Sequence, residues 1–165
     1  MENINAVYLA SAIEHFSMYR SMAEKAMAQL APEQLFISPA EGSNSIAIIV
    51  QHMAGNLISR FTDFLTTDGE KTWRSRDKEF EPVIKDQHAL MNRWNEGWQR
   101  LFETLNALTP PVMADTVYIR GEAHSVTHAI NRQLTHHASH VGQIVYIAKM
   151  LQGNSWKSLS IPRKV

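Results

Sequence analysis

The stretch Val126 to Leu151, VTHAINRQLTHHASHVGQIVYIAKML, constrains the fold more than any other part of the chain. It runs without a proline at helical periodicity and sets three histidines within five positions. On a helix, His136 and His140 share one face a turn apart. Steps of three or four residues carry their line on to Ile144, Ile147 and Leu151, with Ile130, Leu134, Val141, Val145 and Ala148 beside it. The two imidazoles are therefore expected to continue a stripe that faces the core. His137 is turned roughly 100° away and is expected near the helix edge.

Three further segments carry the same period. Asn3 to Leu30 has Ile4, Val7, Tyr8, Ala12, Phe16, Tyr19, Ala23, Ala26, Met27 and Leu30, with no internal Gly or Pro. Pro32 marks either a last turn or a restart, because proline suits the first turn of a helix. After the turn formers Ser38 to Ser45, a second helix runs from Ser45 to about Thr67, its apolar side built from Ile46, Ile49, Val50, Met53, Leu57, Phe61 and Phe64. Gly55 in its interior costs on the order of 1 kcal/mol relative to Ala. It reads as a close helix crossing or as room left for a ligand. A third helix from about Lys85 to Leu108 carries Leu90, Trp94, Trp98, Leu101, Phe102, Leu105 and Leu108, the tryptophans as core filling. Pro110 and Pro111 stop it, and Thr116 to Gly121 is a short β-like strap across the bundle end. Gly153 and Asn154 close the fourth helix. The tail from Ser155 to Val165 is expected to lie on the surface by Trp156, Leu159 and Ile161.

The segment Asp68 to Pro82 loses periodicity and becomes charged, a long connection of the kind that is often functional. Trp73, Arg74 and Arg76 can form an aromatic and cationic wall for an anionic ligand; the alternative is a solvated loop pinned by Trp73 and Phe80. Four long amphipathic helices in 165 residues describe an all-α four-helix bundle forming a single domain over residues 1–165. The short first connection makes helices one and two antiparallel, and the longer second one allows a crossover. The expected topology is up-down-down-up.

Sixteen basic residues balance sixteen acidic ones, which disfavours nucleic acid and anionic membranes as partners. No secretory leader or spanning segment is visible, so a cytoplasmic location is expected. The chain has no cysteine, so any thiol chemistry would use an external thiol. His52, on the margin of the second helix's stripe, lies roughly 10 Å from that helix's start, while His140 and His136 lie roughly 16 and 22 Å from the end of theirs. Antiparallel packing brings all three to a similar level. His52, His136 and His140 would then form a metal tripod with an open coordination position, a catalytic pattern suited to zinc, nickel or iron(II). His15, His88, His124 and His128 carry no such argument, and the last two read as polar or capping residues. The zinc-protease pattern is absent because no Glu follows His136, and the Glu-x-x-His pairs of di-iron bundles are missing.

The string His136-His137-Ala138-Ser139-His140-Val141-Gly142-Gln143-Ile144, together with SIAIIVQHMAGN around His52, resembles the DinB/YfiT-like superfamily, and specifically its branch of small bacterial proteins. The likeness extends through FTDFLTTDGEKTWRSRDKEFE, YIRGEAHS and SWKSLSIPR. It implies an up-down-down-up bundle, a homodimer, and a divalent metal held by His52, His136 and His140. It further implies a metal-dependent S-transferase that passes a bacillithiol-, mycothiol- or glutathione-like thiol to an electrophile. The alternatives are a non-catalytic metal-binding or stress-response dimer and a metal-dependent hydrolase.

Overall fold

The computed structural model describes residues 3–161 and is built on four helices: α1 (Ile4–Met27), α2 (Ile46–Phe61), α3 (Gln87–Ala107) and α4 (Val126–Gln152). Residues 162–165 of the expected surface tail lie outside the described residues. Each helix begins where a polar side chain accepts from an N–H that the first turn leaves unpaired. Asn3 accepts from Asn5 N, Ser45 from Ile48 N, Asp86 from Ala89 N and Ser125 from His128 N. Such a cap stabilises a helix by about 1 kcal/mol.

α2 stops at Phe61 instead of running to Thr67. Thr62 is extended, Asp63 takes φ 47, and the amides of Thr66 and Thr67 turn back to the Asp63 carbonyl. Phe64 is still buried and packs on Phe61 with ring centroids 5.3 Å apart. Pro32 opens a separate short 3-10 turn, Pro32–Phe36, so the restart is the reading that holds. The strap is a full hairpin: β1 (Thr116–Ile119) pairs antiparallel with β2 (Glu122–Ser125), Ile119 opposite Glu122. Its two-residue loop, Arg120-Gly121, has positive φ at both positions, 56 and 77, the geometry that matches the strand twist. In the tail, Trp156 and Leu159 pack against the core, whereas Ile161, expected to lie against the surface, is exposed among the described residues.

One hydrophobic cluster draws on all four helices, with Phe16, Met53, Leu57, Trp94, Trp98, Leu101 and Ile144 fully or almost fully shielded. α2 packs along α3 and α1 along α4. Gly97 sits against Ala54 so closely that a Cβ there would fall 2.9 Å from Ala54 Cα, and Thr104 Oγ1 donates to Phe61 O. Gly97, not Gly55, is thus the glycine of the close crossing. Trp94 and Trp98 meet edge to face at 5.3 Å and are core residues as expected. Across the other pair, the Tyr8 hydroxyl donates to Thr127 O and Asn131 Oδ1. Among the described residues no helix is long and apolar enough to cross a membrane.

The element that positions the site is α2. Apart from Ile48, every residue from Ile46 to Phe61 is buried, including Gln51, His52, Asn56, Ser59 and Arg60. A helix buried on its polar side must satisfy those groups from elsewhere, and the connection after it does so. Gln51 Nε2 donates to the carbonyls of Lys78, Glu79 and Glu81, and Ile84 N donates back to Gln51 Oε1. Ser59 Oγ donates to Gly69 O and accepts from Lys71 N. The charged, aperiodic connection is therefore a fitted cover over the polar face of α2.

Candidate metal centre

His52 on α2 meets His136 and His140 on α4. His136 Nε2 lies 3.2 Å from His52 Nε2 and 3.1 Å from His140 Nε2, and the three ligand atoms all lie within 4.8 Å of one another. Nitrogens around a tetrahedral ion with bonds of about 2.1 Å stand roughly 3.4 Å apart. The spacing is that of a shared ligand sphere.

The far side of two rings is occupied. His52 Nδ1 donates to Glu79 Oε2 at 2.9 Å, and His140 Nδ1 donates to Gln143 Oε1 at 3.0 Å. With those protons on Nδ1, both Nε2 atoms present lone pairs to His136. A single His136 Nε2–H can serve only one of them, whereas a cation serves all three nitrogens. These residues can therefore hold a metal ion, and an outer hydrogen bond that fixes the tautomer is the usual companion of a ligating histidine. His136 Nδ1 is buried without a partner among the described residues. Burial first, then the neighbouring His140 and His52, push the His136 imidazole down to about 3; burial also lowers His140, against the opposing hydrogen bond to Gln143. Both rings are neutral at pH 7, as ligation requires.

Glu79 is the residue that sequence periodicity did not single out. It belongs to the cover, is buried, and receives Arg74 in a two-pronged ion pair, Nε to Oε1 at 2.7 Å and Nη2 to Oε2 at 2.8 Å. Burial opposes its ionisation, but the Arg74 and His52 hydrogen bonds and charges outweigh that and hold its carboxyl below the ordinary range. Gly55 explains its position. A Cβ at Gly55 would stand 2.7 Å from Glu79 Cδ and collide with the carboxylate itself. The gap in α2 is neither a helix crossing nor a ligand space; it is the seat of the Glu79 side chain. Phe80 adds a stacked contact on the His52 ring at 4.6 Å.

The expected orientation of α4 needs correction. His137, not His136 or His140, points into the core: it is fully buried, with ring centroids 6.2 Å from Phe16 and 5.7 Å from Trp98. His136 and His140 are half-buried on the flank that faces α2. The inward stripe runs through Val126, Ile130, Gln133, His137, Val141, Ile144 and Ala148. Two of its members are polar, which disguised it. Among the described residues neither His137 nitrogen has a hydrogen-bond partner, and burial holds its pKa well below 6.5.

Trp73 neither lines a wall nor pins the loop, being 58% exposed, while Phe80 does pin it against His52. Arg74 and Arg76 do line a cavity of about 190 Å³ that opens beside His52 and His136. His124 and His128 pair with each other at 4.8 Å, on β2 and the first turn of α4, and the cap itself is Ser125. Among the described residues, His52, His136 and His140 form the one cluster with the spacing of a metal site.

A search of the curated proteins returned no match for the chain. A family model described as "Protein of unknown function (DUF1572)" matches residues 3–165, from the cap of α1 to the final residue, and the chain belongs to that family.

Proposed function

We propose that this protein is a metal-dependent enzyme of the DinB/YfiT-like kind, in which His52, His136 and His140 hold one divalent ion, zinc or nickel ahead of iron(II). Its reaction is the transfer of a small-molecule thiol to an electrophile. The order of cross-helix contacts supports an up-down-down-up arrangement. Residues 54 and 61 of α2 meet 97 and 104 of α3 in the same sense. Phe16 of α1 meets His137 of α4 above the Tyr8 to Thr127 contact, again in the same sense, while Phe16 and Glu24 meet Trp98 and Trp94 in the opposite one.

The observation that carries the reading is the convergence of three Nε2 atoms whose rings are fixed from behind by Glu79 and Gln143. All-imidazole donation suits borderline ions, and three protein ligands leave a position open for a reactant. When bound, the ion would favour the thiolate form of a thiol, which is the nucleophile. Glu79 keeps the His52 proton on Nδ1 and so keeps its Nε2 lone pair forward. Arg74 keeps that carboxylate ionised. In the transfer, a new S–C bond forms at the electrophilic carbon as the leaving group departs with its bonding pair, and the thiol proton passes to solvent.

Metal analysis of protein purified without a histidine tag tests the centre. Close to one ion per chain is expected, falling to near zero in His140→Ala; an unchanged content in that variant overturns it. A thiol titration of cobalt-substituted protein tests the chemistry. A thiolate charge-transfer band is expected, and retained metal with no thiol-dependent spectral change removes thiol transfer in favour of hydrolysis by a bound hydroxide or of metal storage.

A further inference from the structure

The cavity beside the three histidines is lined by Arg60, Arg74, Arg76, Arg120 and Arg132, together with Asn56 and Gln133. Five guanidiniums in one small space repel each other unless negative charge is supplied. Four carboxylates among the described residues face these five arginines: Glu70 and Glu79, which are shared between them, Asp77 beside Arg76, and Asp68, whose oxygens are taken by the amides of Glu70, Arg120 and Gly121. Glu70 takes Arg60 at 2.9 Å and Arg120 at 3.0 Å, with Arg74 at 3.4 Å, and Glu79 takes Arg74 and His52. Arg76 has only Asp77, 3.9 Å away and exposed to solvent, and it lies over the Phe80 ring that stacks on His52. Five guanidiniums against four carboxylates leave the cavity one positive charge in surplus, with Arg132 as the arginine that has no acidic partner among the described residues.

A second, independent observation marks the same space as built for a ligand. Asn56 and Gln133 are more than nine-tenths buried, and among the described residues Asn56 Oδ1, Gln133 Oε1 and the buried Arg60 Nε have no hydrogen-bond partner. All three residues line this cavity. An orphaned buried polar atom costs free energy, and a molecule entering the cavity can relieve it by donating to the two amide oxygens and accepting from Arg60 Nε. Arg76, Arg120 and Arg132 are exposed at the rim, where they can meet an incoming anion before it reaches the buried groups.

We infer that this cavity binds a small organic acid carrying at least two negative charges, as carboxylates or as a phosphate, with Arg76 and Arg132 as its specificity-determining contacts and the side-chain oxygens of Asn56 and Gln133 accepting from its hydroxyl groups. The inference rests on the proposed metal centre only for the role of this acid as a reactant. The binding site itself is carried by the cavity. An acid held there touches the wall formed by His52 and His136, which places its reacting end next to the histidine cluster.

Isothermal titration calorimetry on the full chain, with and without one equivalent of zinc, tests this at fixed ionic strength. The probes are succinate and glycerol phosphate, against the uncharged succinamide and glycerol. Saturable binding of at least one anion is expected, with the uncharged probes at least tenfold weaker. Preference for succinate assigns carboxylates, and preference for glycerol phosphate assigns a phosphate. Arg132→Gln and Arg76→Gln should each weaken binding about tenfold, while Arg93→Gln, on the exposed side of α3, should leave it unchanged. Equal binding of charged and uncharged probes, no binding of either anion, or full affinity in both arginine variants overturns the assignment. His140 does not line the cavity, so His140→Ala should abolish metal uptake yet keep anion binding in the zinc-free arm; the two readings can therefore fail separately.

Discussion

His136 and His137 are neighbours on one helix, yet they illustrate opposite ways of placing an imidazole out of water. His136 stands on the flank of α4 with two other rings converging on its Nε2, and those rings are anchored from outside by Glu79 and Gln143. His137 is sealed between Phe16 and Trp98 with neither nitrogen bonded. The first arrangement makes polar atoms into a donor set. The second leaves them unused, as volume in the core. Burial alone therefore does not distinguish the two rings; the direction in which the lone pairs converge does.

The comparison breaks most decisively under ligand removal. His136→Ala should reduce divalent-metal affinity by well beyond the roughly 10–100-fold typical of losing an outer partner, whereas His137→Leu should leave metal stoichiometry intact; competition against a chromophoric chelator reads both. Next in size is the anchor. Glu79→Gln should weaken metal binding by about 10–100-fold, and Gly55→Ala, which displaces the same carboxylate sterically, should show a comparable loss. If Gly55→Ala binds metal normally, the seat of Glu79 has been misassigned.

A smaller effect, of opposite sign, is expected at the buried ring. His137→Leu removes two unsatisfied polar atoms from the core and should raise the free energy of unfolding by about 1–2 kcal/mol in urea titrations; a loss of stability would mean that the ring is needed where it is. A further effect is on pH. Folded His136, His137 and His140 all have depressed pKa values, so the unfolded chain binds protons more readily. In metal-free protein, stability should hold above the unfolded pKa of about 6.5 and decline as pH falls toward about 5, before carboxylates titrate. His137→Leu removes one of the three groups and should flatten that decline.

Much of the frame was legible from local chemistry. Ser45 announced a helix start, Pro110 and Gly153 two stops, and Trp94 and Trp98 a core stripe, because each depends on short-range sequence. His52 could be brought to the level of His136 and His140 by counting helical rise alone. The rotation of α4 could not, since Gln133 and His137 interrupt the apolar signal on the stripe that in fact faces inward. Glu79 was invisible for a different reason: its role depends on Gly55 and Arg74, which reach it through tertiary packing and not through any period. The hairpin's second strand was hidden by the polar composition of Glu122-Ala123-His124-Ser125.

One carboxylate ties distant pieces of this design together. Asp68 accepts from the amides of Glu70, Arg120 and Gly121, and Gly69 N donates to Tyr118 O, so the tip of the hairpin is fastened to the start of the cover over α2. The rim of the cavity is consequently a seam between two chain segments some fifty residues apart in sequence. The contacts of α2 with α3 and of α1 with α4 are made outside that seam. The bundle can then serve as a chassis whose recognition edge is exchanged by altering one turn and one loop, with the histidines left in place.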